Sequence, residues 1–82
     1  MQTQQIWPNL ADLPAGKSAV IAGSALQGAI RTRLRELGMI EGTAVTCLGC
    51  GPSGDPIAYL IRGTVIALRK GDSSRIEVQA WV

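Results

Sequence analysis

Two side chains in this sequence suit metal or redox chemistry, Cys47 and Cys50, three positions apart. Thiolates at Cys-x-x-Cys spacing can share one soft metal ion. A closed structural zinc site wants four ligands, and the 82-residue chain has no His and no further Cys. The pair could complete a four-cysteine site across a dimer; otherwise Asp55 or water must supply the rest. Two readings stay open: a divalent transition metal held at Cys47 and Cys50, or a small buried hydrophobe at Cys47 and an incidental loop thiol at Cys50. A thioredoxin-like redox role fits less well, because the cysteines end a strand rather than open a helix. Catalysis finds no support: there is no Ser beside a plausible base and no carboxylate pair that the pattern brings together. Gly49-x-Gly51 is not a phosphate loop, since no Lys-Ser/Thr follows and no helix begins there. Nothing in these residues requires a cofactor.

The second kind of chemistry is docking. Arg31 and Arg35 lie one turn apart on a polar helix face flanked by Gln27, which could meet an acidic or polar partner surface; a plain solvated face is the alternative. Met39, Tyr59 and Trp81 are the apolar candidates, since small barrels bind peptides in aromatic grooves. Tyr59 shares its strand face with Ile57 and Ile61, which argues core instead, while Trp81 points opposite Ala80 and could cap the barrel or pair with Trp7. The candidate partner-binding set is therefore Leu26, Gln27, Arg31, Arg35, Met39 and Trp81. Arg31, Arg33 and Arg35 could also serve a nucleic-acid binder, but alternate arginines point to different helix faces, and a net charge of +2 is mild for that role.

These residues must be held by short elements. Residues 1–9 read as a polar tail, and residues 10–82 as one domain. Leu10 and Leu13 anchor the approach to a turn at Pro14-Ala15-Gly16, and Lys17 to Ala22 is the first strand. Ser24 and Gln27 fit a capping box for a helix from about Ala25 to Leu37. Leu26, Ile30, Leu34 and Leu37 form its apolar stripe, although Gly28 weakens the first turns. Gly38 suits a left-handed residue just past a helix end, with Met39 folded back onto Leu34. Ile40-Glu41-Gly42-Thr43 suits a type II turn. From Thr43 the period becomes two. Strands are expected at Thr43–Leu48, Ile57–Ile61, Thr64–Arg69 and Arg75–Trp81. A long turn covers 49–56, where Gly54-Asp55-Pro56 are turn residues; Arg62-Gly63 makes a two-residue hairpin, and a single helical turn lies near Lys70–Ser74.

Hydrophobic residues make up 46% of the chain, with three aromatics and no Phe, so the core must be aliphatic. About five short antiparallel strands with one helix after the first would close most economically as a small, mainly β barrel without exposed edges. No apolar run approaches the ~20 residues that span a bilayer, so no direct membrane insertion is expected. The N-terminus lacks a signal-peptide pattern. The cytoplasm, with both thiols reduced, is the expected setting.

Arg33-Leu34-Arg35-Glu36-Leu37-Gly38-Met39-Ile40-Glu41-Gly42-Thr43, then Gly54-Asp55-Pro56-Ile57, Arg62-Gly63 and Ala67-Leu68-Arg69, resemble the FeoA family of bacterial ferrous-iron uptake, as does the opening Asp12-Leu13-Pro14-Ala15-Gly16. The order and spacing agree over roughly residues 10 to 79. The resemblance implies an SH3-like barrel and a non-enzymatic accessory role, binding and modulating the cytoplasmic part of FeoB, the membrane permease with a GTP-binding domain. No nucleic-acid partner is expected, given the mild charge and the divergent arginines. Glu41 stands where a proline commonly precedes the turn glycine, and Cys47-Leu48-Gly49-Cys50 falls where the family carries apolar and basic residues, so no role for the thiols is inherited. The alternatives carried forward are a metal-binding or metal-sensing module using Cys47 and Cys50, with a homo-oligomer completing the site, and a small-barrel nucleic-acid binder.

Overall fold

The structure is a computed structural model that describes residues 7–80. A 3₁₀ turn over Leu10–Asp12 leads into strand β1 (Ser18–Ser24), helix α1 (Gly28–Glu36), β2 (Ala44–Cys50), β3 (Ile57–Ile61), β4 (Thr64–Leu68), the short helix α2 (Lys70–Ser73) and β5 (Ile76–Ala80). All pairings are antiparallel, in the order β4-β3-β2-β1-β5. The mainly β class and the single principal helix after the first strand agree with the sequence reading. The expected removal of edges does not: β4 and β5 end the hydrogen-bonded ladder among the described residues.

Period-two alternation builds the core. Val45 and Cys47 of β2, Ile57, Tyr59 and Ile61 of β3, Ile66 and Leu68 of β4, and Ile76 and Val78 of β5 are buried on one face. Leu10 and Leu13 close it from the N-terminal side, and Trp7 packs half-buried against it. Tyr59 is the largest side chain fully enclosed, and its hydroxyl donates to the Leu10 carbonyl at 3.3 Å.

Helix α1 starts later than its capping signal suggests. Ser24 belongs to β1, and its hydroxyl accepts from the Leu26 N–H at 3.1 Å, a local turn that competes with capping. Gln27 is extended (φ −136°, ψ 164°) and makes no side-chain cap bond. Gly28 has φ +74°, which breaks right-handed winding and bars any earlier start. Leu26 therefore precedes the helix and is buried in the core, Leu34 is the helix's buried residue, and Ile30 and Leu37 are half-buried.

The helix ends by backbone geometry. Gly38 has φ +103°; its N–H donates to Arg35 at 3.0 Å, and the Met39 N–H reaches back to Leu34 at 2.9 Å. These are the two bonds of a Schellman motif. Gly42 follows with φ +88°, and the Thr43 N–H donates to Ile40 at 3.1 Å, giving the type II turn. A Cβ at Gly38 would run into the Arg62 side chain from the β3–β4 turn. Gly38→Ala is therefore expected to cost about 1–3 kcal/mol from backbone strain. Chemical denaturation should show a lower midpoint with an unchanged slope.

In β2 the strand runs two residues past its expected end. A register shift between Cys47 and Gly49 marks a bulge, and the ladder resumes with Cys50 opposite Ile57. Gly49 and Cys50 therefore belong to the sheet, and the long connection shortens to residues 51–56. Arg62 and Gly63 both have positive φ (49° and 81°), a type I′ hairpin turn.

Candidate docking pocket and thiol pair

The end of β1, the face of α1 and the loop after the helix stop enclose one pocket. Ile21, Leu26, Leu34, Met39 and Ile76 give it an apolar lining, and Arg31, Arg35, Ser24, Ile40 and Glu41 complete its wall. Local chemistry holds each side in place. The Ser24 turn directs Leu26 inward, and the Ala25 N–H donates to Arg75 at 2.7 Å, fixing the chain before the helix. The Schellman ending turns Met39 under the helix. Ile21 exchanges backbone bonds with this loop, donating to Thr43 at 2.9 Å and accepting from Gly42 at 2.8 Å. Two glycine-dependent turns thus seat the loop against β1.

Four of the six residues expected to bind a partner come together here: Leu26, Arg31, Arg35 and Met39. Met39 is less exposed than expected, and Leu26 is buried as its stripe position indicates; each is 5% exposed. They are lining, not protruding anchors; the reason is that each lies at a chain reversal that points it inward. Gln27 lies on an adjoining shallow surface with Leu26 and Arg31. Trp81 falls outside the described residues. Ile40, 37% exposed, is the apolar rim residue missed by the pattern reading. Its position directly after the helix stop was the available signal. Ile21 and Ile76 come from distant strands, and no local motif links them to the pocket.

Arg31 and Arg35 are exposed, and neither is ion-paired among the described residues; the ion pair found there is Arg69 with Asp55 at 4.0 Å. The pocket thus offers an apolar recess beneath two guanidinium groups, with Glu41 as its single carboxylate. Such a surface can receive an apolar side chain with acidic neighbours, since guanidinium groups bind carboxylates through paired, charge-assisted bonds.

The thiols lie at the other end of β2. The bulge matters for them: without it, residues three apart would point to opposite faces, but the extra residue returns Cys50 to the face of Ile57 and Tyr59. Cys47 is buried and Cys50 is exposed at the strand end. Among the described residues no three His, Cys, Asp or Glu side chains are close enough to hold a metal ion. Asp55 is engaged elsewhere, accepting from the Lys70 N–H at 2.9 Å and so capping α2. One copy of the described chain therefore supplies two thiols and no complete metal site. Cys50→Ser is expected to change stability by less than about 0.5 kcal/mol. Cys47→Ser should cost about 1–3 kcal/mol by burying a hydroxyl without a partner. Thermal melts of the two single variants check this asymmetry.

Comparison with known proteins gives the site its context. The family model for the FeoA domain matches residues 9–80. A Porphyromonas gingivalis protein named as a fusion of Fe(2+) transport protein A with the Fe(2+) transporter FeoB is 36% identical over 70 residues. That match covers 85% of this chain and 8% of the fusion protein, so the chain spans only a small part of that curated relative. The solution structure of the FeoA protein from Chlorobium tepidum superposes with a TM-score of 0.86 at 31% identity, covering 90% of this chain and 70% of that one. The crystal structure of Stenotrophomonas maltophilia FeoA complexed with zinc, described as a procaryotic SH3 domain protein, matches with a TM-score of 0.74 at 35% identity, over 85% of this chain and 87% of that one.

Proposed function

Because this chain belongs to the FeoA family, with that family's SH3-like fold, we propose that it is a non-enzymatic accessory module of ferrous-iron uptake that binds the cytoplasmic part of a FeoB permease and shifts it between states. The observation that carries the reading is the fusion relative, in which a sequence like this one is joined to FeoB in a single polypeptide. Tethering holds two domains at high effective concentration, which suits domains that work in contact. The pocket beneath Arg31 and Arg35 offers a docking surface without catalytic groups. A modulator acts only through unequal affinity for two states of its target, so binding should depend on the nucleotide held by the permease. The test is a pull-down with the cytoplasmic domain of the cognate permease, together with ferrous-iron uptake in a deletion strain. Binding and impaired uptake are expected; normal uptake with no binding would refute the reading.

A second reading, metal binding through Cys47 and Cys50, is favoured by the zinc complex of the Stenotrophomonas relative. A closed site of four protein ligands would draw on a second copy, because the described residues of one chain provide two thiols and no third His, Cys, Asp or Glu ligand beside them. Metal content of the wild type against a Cys47→Ser, Cys50→Ser double variant decides it, and equal content would end it.

A further inference from the structure

We propose that the free edge of β4 is a strand-addition site for an extended segment of the partner protein, with apolar side chains at alternate positions and acidic residues at its ends. The proposal rests on the permease-binding reading above and names how contact is made. β4 lies at one end of the sheet and, among the described residues, is bonded to β3 alone. The type I′ turn makes Ile61 and Thr64 a hydrogen-bonded pair. By antiparallel alternation, the N–H and C=O groups of Val65 and Ala67 then point away from β3. Among the described residues no other bond uses them. These are two donors and two acceptors at strand spacing, the template that strand addition needs.

Native edges are usually blunted by charge, proline, a bulge or a cover. At the opposite end of the sheet, the 3₁₀ turn packs beside β5. Within β4 there is no charge, proline or bulge, and among the described residues no strand or turn is bonded to its outer edge: its sequence is Thr-Val-Ile-Ala-Leu, its register with β3 is unbroken, and Val65 is 62% exposed. A groove runs between this edge and α1, bordered by Ile30 and Leu37, so one face of an added strand would meet apolar side chains.

Charge selects the occupant. Arg33 is the one charged residue lining the groove, Arg62 precedes β4, and Arg69 and Lys70 follow it. Asp55, spent on the Lys70 N–H and near Arg69, and Asp72 in α2 are the carboxylates at that end, against Arg69 and Lys70 there and Arg62 and Arg33 elsewhere along the edge. A second copy fits poorly. Antiparallel self-pairing centred on Ile66 would bring the Arg62 turn of each copy toward Arg69 and Lys70 of the other at both ends, a crowding of like charge that disfavours self-association. An acid-flanked segment instead meets basic residues at both ends of the edge.

The test is residue-resolved amide hydrogen exchange on the full chain, free and with the cytoplasmic domain of the cognate permease. Slowed exchange at Val65 and Ala67 on complex formation is expected. Ala67→Pro, which removes one outward N–H at an edge position that tolerates proline, should weaken binding at least tenfold, and Arg33→Glu should weaken it in a salt-dependent way. A complex that leaves both amides exposed would overturn strand addition while sparing the permease reading. Failure to form any complex overturns both. Protection of these amides in the free chain at high concentration would assign the edge to self-association and overturn the acidic-partner proposal.

Discussion

Tyr59→Ala is expected to remove a large share of the stability of the domain. The side chain is fully buried in the centre of β3 and packs among the strand residues that form the core. Truncating a buried aromatic costs about 3–5 kcal/mol, part lost transfer energy and part unfilled cavity. At about 0.05–0.15 kcal/mol per residue, a domain of this length holds only a few times that amount at most. Urea titration followed by far-ultraviolet circular dichroism should show a transition shifted well toward zero denaturant. The conservative Tyr59→Phe separates shape from hydrogen bonding. It keeps the packing and loses the bond to Leu10, costing about 1 kcal/mol, or about 4–8 °C in midpoint for a domain this small.

The same residue sets an alkaline limit. Burial raises the Tyr59 pKa above its ordinary value of 10.0, the Ser73 hydroxyl offsets part of this, and negative charge on Cys47 and Cys50 adds to it. The native state thus holds the phenol proton more tightly than the unfolded chain. Its contribution is complete below the unfolded pKa of about 10 and is lost as pH rises through the higher folded value. Wild type should lose stability above about pH 10 more steeply than Tyr59→Phe. Because Tyr59 is the chain's single tyrosine, its ultraviolet absorbance reports the ionisation directly. Equal pH profiles in the two proteins would contradict the burial argument.

An Arg31→Glu, Arg35→Glu double variant should bind the permease's cytoplasmic domain at least about tenfold more weakly, or about 1.4 kcal/mol. Both guanidinium groups rim the same pocket, so the exchange replaces two positive charges above an apolar recess with two negative ones. Both side chains are exposed, so folding stability should move by no more than about 0.5 kcal/mol per site. Isothermal titration at two salt concentrations checks the result. Wild-type affinity should fall with salt, and the variant should show the opposite or no dependence, because rim charges act through screened Coulomb attraction. Unchanged affinity would remove this pocket from the interface and leave the β4 edge as the remaining surface.

Elements governed by neighbours in the chain were legible. β3 spans Ile57–Ile61 as alternation indicates, the Arg62-Gly63 hairpin has its two positive φ angles, and the Gly38 and Gly42 turns form as their spacing requires. The failures fall where two local signals compete. Ser24 carries a capping signature, yet its hydroxyl turns to Leu26, because Gly28 breaks the winding before a cap could act. The stripe position of Leu26 and the fold-back of Met39 onto Leu34 agree with their burial, but one-dimensional periodicity does not say that both line one pocket.

By itself, the sequence determined the turn chemistry, the strand faces and the family pattern that runs through the helix stop. These depend on backbone sterics at single glycines and on the period of two, both written residue by residue. Tertiary structure alone decided the rest. It placed Ile21 and Ile76 beneath Arg31 and Arg35, set both cysteines on one face through a bulge, and left β4 at the end of the sheet, bonded among the described residues to β3 alone. Each of those outcomes depends on which strands pair and in what register, a balance of contacts between residues far apart in the chain that no local pattern encodes.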